Sequence, residues 1–538
     1  MKLANVAEIK KTEADCDLSG YSYAEMMEDA GAGVARYVDS LFKGVNDELA
    51  VVGLVGSGNN GGDTLVALEH LQKHGWNCMV FLVRPRSEND PLLTRVKEAG
   101  CKITTLEKDV NFRLLNVWLE NADVLLDGVL GTGVKLPLKQ ETAAVLNNVK
   151  KQASIPFVVA VDCPSGVNCD TGEAAKETIK ADITLTMGAI KYGMFKLPAF
   201  EFINDIALIP LNFDGKSAIW DNINTKVIEA EILDEAFPPR PLDGHKGTFG
   251  TLLIVAGSIN YTGAALLAGK AAYRSGTGLV QMAVPAPLHA ALAGSFPEAT
   301  WLILPHEMGV IASSASEVVW DNLDRATAIA AGPGLGTENT TRDFLKILLA
   351  GEKGGSEKGA IGFIAQKEKH NRNLKSHLPP IVIDADGLRL LSLIPNWQHL
   401  LPEHCVLTPH PGEMSALTGL TVEEIQKDRI GVTRRFAREW KCVVVLKGAF
   451  SVVGEPGGEC SVVPHAVPAL ASAGTGDVLT GIIGSLLAQG RDPYLAARAG
   501  ALLHVMAGKL AAENLGTPIS VIAGDVVEAI PRVLEEWE

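Results

Sequence analysis

Apolar and polar positions follow two rhythms along the chain. After Ser22-Tyr23-Ala24-Glu25, which reads as a capping box, Met26, Ala30, Val34, Val38 and Leu41 recur at helical spacing. They predict a helix with one buried face. Leu49 to Val55 is a short, nearly all-apolar run, the pattern of a strand buried on both faces of a parallel sheet. A glycine-rich elbow follows, then an amphipathic helix ending near Gly75. Further strands are predicted at Trp76 to Val83, Asp123 to Asp127 and Pro156 to Asp162, the last two ending in aspartate. The alternation weakens after Pro210, and Phe237-Pro238-Pro239-Arg240-Pro241 reads as a stiff connection between domains. A second series then predicts strands at Thr251 to Ala256, Leu279 to Val284, Ala326 to Ala331, Ile381 to Asp384 and Cys442 to Leu446. Helices are predicted at Gly263 to Ser275 and Gly476 to Gln489, and the charged, glycine-rich Glu352 to Lys375 reads as a surface insertion. The fold expected is α/β in two domains, residues 1–222 and 228–538, each an open sheet layered with helices.

Composition narrows the function classes. A chain of 538 residues exceeds what one core supports, and 47% apolar with 21% charged residues is an ordinary globular mixture. A formal charge of −15 argues against nucleic acid and anionic membranes as partners, while leaving a nucleotide ligand open, because local amides can outweigh the global field. The eight cysteines form no CxxC pair, and Cys163 and Cys169 have no further ligands at zinc spacing. The polar first sixteen residues lack the apolar core of a secretion signal, and no run reaches the roughly 18 residues of a membrane span. A soluble cytoplasmic protein, assembled as a homo-oligomer, is expected.

Candidate chemistry sits at glycine elbows. In Gly56-Ser57-Gly58-Asn59-Asn60-Gly61-Gly62-Asp63, the glycines allow a tight turn and close ligand approach at a helix start. Asp63 is suited either to ribose hydroxyls or to capping the helix. Two further loops, Asp127-Gly128-Val129-Leu130-Gly131-Thr132-Gly133 and Asp162-Cys163-Pro164-Ser165-Gly166-Val167, follow strands and would meet the elbow on one sheet rim. Asn60, Asp127 and Ser165 supply oxygen donors for a hard monovalent or divalent cation, and Asp162 is placed to carry a proton. A plain turn with a helix cap and solvated strand ends is the alternative.

These segments, with Met27-Glu28-Asp29-Ala30-Gly31, resemble the NAD(P)H-hydrate epimerase family over about residues 1–220. The resemblance implies a Rossmann-like three-layer sandwich. It implies that Asn59, Asn60, Gly61, Gly62 and Asp63 hold the hydrated nucleotide, and that Asn60, Asp127 and Ser165 bind potassium. Gly131, Thr132, Gly133, Val134, Lys135, Leu136 and Pro137, with Asp162, would contact substrate. Thr64 stands where the family has another glycine, and is expected to narrow the elbow.

The second elbow is Ala473-Gly474-Thr475-Gly476-Asp477-Val478-Leu479-Thr480-Gly481. Gly474 and Gly476 let backbone amides converge on a transferring phosphoryl group, and Asp477 stands where a base would take a hydroxyl proton. The plain alternative is a left-handed turn with an aspartate cap. Lys447-Gly448-Ala449 ends an apolar strand and suits a nucleotide phosphate. Gly332-Pro333-Gly334-Leu335-Gly336 follows another, and Thr408-Pro409-His410-Pro411-Gly412-Glu413 holds an imidazole between prolines. With Gly257-Ser258-Ile259-Asn260-Tyr261-Thr262-Gly263-Ala264, these pieces resemble the NAD(P)H-hydrate dehydratases of the ribokinase-like superfamily, over about residues 228–538. The resemblance implies a ribokinase-like three-layer sandwich. It implies that Ala264, Gly334, His410 and Asp477 contact NADHX or NADPHX. Lys447, Gly448, Ala449, Phe450, Ser451 and Gly476 would contact ADP or ATP, taken with magnesium. Val505 stands where that family pattern has glycine. Together the halves imply a bifunctional repair enzyme that epimerises the R and S hydrates and dehydrates the S form. The competing readings are a small-molecule (hydroxymethyl or sugar) kinase carrying a regulatory domain, and an N-terminal half that only senses nucleotide or binds a partner.

Overall fold

The computed structural model describes residues 1–44, 48–87, 89–351 and 378–535. The segment 352–375, expected as a surface insertion, lies outside the described residues. The chain divides into two compact units, Met1–Thr225 and Lys226–Glu538. Phe237 to Pro241, expected to join the domains, therefore lies within the second unit. Its prolines follow a short helix, Ile232–Ala236, whose Leu233 and Ala236 are buried in the second core.

In the first unit seven strands lie in one parallel sheet. Their order is Lys102–Thr105, Asn77–Leu82, Ala50–Val55, Val124–Gly128, Phe157–Val161, Ile183–Met187 and Asp205–Ile209. Successive residues of Ala50–Val55 feed opposite faces: Val51 and Val55 join one apolar cluster, Val52 and Leu54 another. Helices cover both faces, giving the three layers expected. On one face Tyr23–Leu41 packs across Asn59–Lys73. A methyl at Gly31 would stand 2.4 Å from Val66 Cβ, so glycine sets that close crossing. Ser22 and Glu25 do form the capping box, and Met26, Ala30, Val34 and Val38 are buried. The sheet order reverses between Ala50–Val55 and Val124–Gly128, which opens a crevice at their carboxyl ends.

The polar N-terminus is ordered rather than loose. Leu3–Ala4 pairs in parallel with Ile190–Lys191. Helix Val6–Leu18 follows, with Asn5 and Glu8 as its capping box and Asp170 Oδ1 accepting the Val6 N–H at 2.8 Å.

In the second unit ten strands form one sheet. The order runs from Thr225–Val227 and Cys460–Val462 through Val452–Gly454, Val443–Leu446, Cys405–Leu407 and Ile381–Ile383. It ends with Ala328–Ala331, Thr251–Val255, Leu279–Pro285 and Thr300–Leu304. Val452–Gly454 is antiparallel to both its neighbours, Val443–Leu446 and Cys460–Val462, and the strands from Val443 to Thr300 are parallel. Helix Thr475–Ala488 is buried nearly all round, so its N-terminus is held rigidly at the sheet's rim. No described helix is long and apolar enough to cross a membrane.

Candidate active sites

In the first unit the three predicted loops do meet. Gly56 N–H bonds Gly128 O at 3.2 Å, and a methyl at Gly131 would lie 3.2 Å from Asn60 Cβ and 3.6 Å from Asp162 Oδ2. They enclose a cavity of about 420 Å³ whose wall includes Gly58, Asn59, Asn60, Asp63, Gly131 and Asp162. Thr132 and Gly133 also line it, whereas Val134, Lys135, Leu136 and Pro137 continue the loop beyond its wall. Asp127 and Ser165 lie just behind. Ser165 donates to Asp127 through its N–H at 2.8 Å and its hydroxyl at 2.5 Å, and its Oγ accepts the Leu130 N–H at 2.9 Å. Asn60 donates Nδ2 to Leu130 O at 3.0 Å, while its buried Oδ1 has no partner among the described residues. Burial pushes Asp127 above the usual carboxylate range, against the hydrogen bonds from Ser165. A buried carboxylate beside an orphaned amide oxygen is short of one positive charge, which a hard cation would supply.

Two details of the elbow differ from expectation. Thr64 does not narrow it. Its hydroxyl bonds Asn60 O at 2.8 Å, and a methyl on Gly128 would lie 1.8 Å from that hydroxyl. Thr64 therefore packs down against the strand, away from the cavity. Nor does Asp63 cap the helix: the cap position is Gly58, without a side-chain bond, and Asp63 lines the cavity. Gly61 and Gly62 serve packing more than ligand approach, since methyls there would lie 2.1 Å from Gly56 O and 2.6 Å from Met27 Sδ.

The structure adds two residues that the motifs did not contain. Lys191, 1% exposed, forms an ion pair with Asp162 and donates to Thr186 Oγ1 at 2.8 Å and Met187 O at 3.1 Å. Burial alone would lower Lys191, yet the Asp162 carboxylate outweighs it and holds the ammonium above its ordinary range. Asp162 itself sits in the left-handed region at φ 67°, which turns its side chain out of the strand line. Glu13, on the first helix, also lines the cavity. Burial and then Asp162 push Glu13 up, and burial pushes Asp63 well above its usual range.

In the second unit the carboxyl ends of the strands carry the predicted groups to one corner. Lys447 follows Val443–Leu446, and its ammonium pairs with the fully buried Asp384, which follows Ile381–Ile383. Thr480 Oγ1 donates to the other oxygen of Asp384 at 2.6 Å. Glu413 stands 3.8 Å from the same ammonium. A methyl at Gly476 would lie 3.5 Å from Lys447 Nζ and 3.6 Å from Asp384 Oδ2, so the elbow closes directly over this ion pair. Asp477 occupies the third position of its helix after Gly474 at φ 89°, and makes no cap bond. Burial, reinforced by Asp384, pushes Asp477 to about 7, and burial lifts Glu413 to about 7 as well.

His410 is more a helix cap than a free imidazole. Its Nδ1 accepts the N–H groups of Gly412 at 2.9 Å and Glu413 at 3.2 Å, and its Nε2 stands 3.3 Å from Glu413 Oε1, with the ring half-exposed. Burial and Lys447 lower its pKa. Gly334 and Ala264 adjoin, a methyl on Gly334 falling 2.9 Å from Ala264 Cβ. Gly448 and Ala449 are exposed, Phe450 is buried at φ 54°, and Ser451 Oγ bonds Gly448 O at 3.0 Å. Val505 is core, packed in the apolar cluster of this unit. Asp384 and Glu413 were within quoted segments but carried no predicted role; their strand-end positions were the available signal.

Two open α/β sheets, each with a glycine elbow, a buried lysine–aspartate pair and further acids at its carboxyl rim, define a two-domain enzyme of nucleotide chemistry. Residues 23–193 match the family model for the YjeF-related protein N-terminus, and residues 252–532 match that for NAD(P)H-hydrate dehydratase. The chain is 34% identical over 520 residues to a bifunctional NAD(P)H-hydrate repair enzyme of Moorella thermoacetica, covering 95% of this chain and 92% of that protein. One from Escherichia coli K12 is 30% identical, over 98% of this chain and 93% of its own. The chain belongs to the family of bifunctional NAD(P)H-hydrate repair enzymes. Its epimerase domain interconverts the R and S hydrates, and its dehydratase domain restores NAD(P)H from the S form at the expense of ADP or ATP. A crystal structure of the ADP/ATP-dependent NAD(P)H-hydrate dehydratase from Bacillus subtilis, co-crystallised with ATP/Mg2+, is 29% identical. It covers 59% of this chain and 100% of its own, with a TM-score of 0.47.

Proposed function

We propose that the 420 Å³ cavity is where R and S hydrates exchange, and that the Asp477 corner is where the S hydrate of NADH or NADPH is dehydrated. What supports this above all is a buried lysine paired with an aspartate at the sheet rim of both units, with Asp162 lining the cavity of the first and Asp477 at the helix start beside the pair of the second. The substrate carries a hydroxyl at carbon 6 of its reduced ring, and hydroxide leaves poorly. At the second corner Asp477 takes the proton of that hydroxyl as its oxygen accepts a phosphoryl group from ADP or ATP. A carboxyl poised at about 7 suits that work near neutral pH. The amides at Gly474 to Gly476 face the charge on the moving phosphoryl group. Phosphate then departs and the ring double bond returns.

No group of three or more His, Cys, Asp or Glu among the described residues is arranged to hold a metal ion. Magnesium would be carried on the nucleotide phosphates, and the corner's carboxylates are the hard oxygen donors that suit it. Potassium suits the first unit. The orphaned Asn60 Oδ1, the Asp127 carboxylate and Ser165 Oγ are all hard oxygen donors, and the ion would supply fixed positive charge beside the elbow.

The test uses R hydrate, S hydrate and adenine nucleotide with the full chain. Recovery of reduced-nicotinamide absorbance reports dehydration, and chromatographic separation of the epimers reports exchange. Asp477→Asn is expected to abolish dehydration and spare exchange, and Asp162→Asn to do the reverse. Loss of both activities in either folded variant would refute separate sites.

A further inference from the structure

Glu13 stands out among the cavity's acids. It belongs to helix Val6–Leu18, which precedes the residues matching the epimerase-type family model, 23–193. That helix is fastened at its start by the Asn5–Glu8 capping box, the Asp170 bond and the Leu3–Ala4 pairing with the strand that carries Lys191. Ile9, Lys10 and Glu13 then face the cavity from one side of the helix, beside Tyr23. No described residue hydrogen-bonds the Glu13 carboxyl, and none forms an ion pair with it. The charges of Lys191 and Lys10 attract it, but burial and Asp162 outweigh them, so holding this carboxyl at the cavity carries a cost. Asp162 reaches the same cavity from a different element, the end of Phe157–Val161, and is held by Lys191. Asp63 is the third acid: it lies on the elbow helix three residues after Asn60, and the charges of Asp162 and Glu13 add to the burial that raises it.

We propose that Glu13 is a second proton-transferring group of the epimerase, and that it and Asp162 serve the two faces of carbon 6. The inference rests on the cavity being the epimerisation site. Protonated Glu13 gives its proton to the carbon 6 hydroxyl. The carbon–oxygen bond breaks with its electron pair on oxygen, water leaves, and the ring nitrogen's lone pair forms the carbon–nitrogen double bond. Water then adds to carbon 6 from the other face, that double bond's electrons return to nitrogen, and Asp162 takes the proton released. One proton has passed from Glu13 to Asp162. Opposite turnover begins from that state with the roles exchanged, and exchange with solvent resets the pair. The raised position of Glu13, set by burial and by Asp162, lets it hold a proton beside the lysine-paired carboxylate.

The full chain tests this with prepared R hydrate. Glu13→Gln is expected to lower kcat for epimerisation about 100-fold or more with little change in KM, the usual scale for losing a positioned acid. Dehydration of S hydrate on the same molecule should remain, which controls for folding. Glu13→Ala should recover epimerisation as formate is added, because formate fits the vacated space and carries the proton. Wild-type exchange by Glu13→Gln overturns the proposal, as does loss in Glu13→Ala that formate fails to restore. Recovery by formate of Asp63→Gly in place of Glu13→Ala also overturns it. Asp162→Asn separates the two levels: if it exchanges epimers normally, the cavity assignment fails, and if it is inactive while Glu13→Gln is active, only the role of Glu13 fails.

Discussion

The two corners use the same parts in opposite positions. Each has one buried lysine paired with one aspartate, and further acids raised by burial. In the first unit the paired residue, Asp162, faces the cavity, and its lysine lies behind it at 1% exposure. In the second unit the paired residue, Asp384, is wholly buried, and the unpaired Asp477 stands forward on the helix start. In the first unit the lysine holds the cavity-facing acid in place directly. An ion pair set behind the acid leaves a carboxyl near 7 that can shuttle a proton. On the roles proposed for Asp162 and Asp477, position within the ion pair, rather than residue type, would divide the labour.

Removing the lysines tests that comparison most severely. Lys447→Met leaves Asp384 fully buried without its charge partner and should cost about 3–5 kcal/mol in chemical denaturation. Lys191→Met should cost less, about 1–3 kcal/mol, because Asp162 is 15% exposed and can recover some hydration. Equal or reversed losses would show that the two pairs do not differ in burial as described.

The pH response should come next. Asp477 must be deprotonated to accept the hydroxyl proton, and its pKa is raised to about 7. Dehydration should therefore level off above pH 7 and fall about tenfold per unit below it. Asp477→Glu should move that midpoint, whereas an acid limb unchanged in this variant would assign the limb to Glu413. Asn60→Ala and Ser165→Ala should weaken the potassium dependence of epimerisation and leave dehydration untouched. A potassium titration with both assays decides this, and an unchanged response removes these residues from the cation site. The smallest effect is expected for Thr64→Gly. It should lower stability by about 1–2 kcal/mol through lost packing and helix propensity, without speeding epimerisation. A faster epimerase would mean that the side chain does obstruct the elbow.

Much of this was legible because it is local. The capping box at Ser22, the apolar runs at Ala50–Val55 and Val443–Leu446, and both glycine elbows depend on neighbours a few residues apart. The strands Lys102–Thr105, Ile183–Met187, Asp205–Ile209 and Cys405–Leu407 were not anticipated. They are three to five residues long, and only pairing with an existing sheet makes them strands. The N-terminus is polar in sequence and lacks the apolar core of a secretion signal, yet Val6–Leu18 forms a helix that walls the cavity.

By itself, then, the sequence determined two α/β halves and the acids that tip their elbows, because periodicity and glycine placement act through the backbone nearby. Only the tertiary structure decided which charges face one another. Lys191 reaches back to Asp162, Lys447 to Asp384, and Glu13 arrives on a helix docked from the chain's start. Such meetings are fixed by strand order and by the burial that makes each unpaired charge costly, and neither is written in the spacing of residues along the chain.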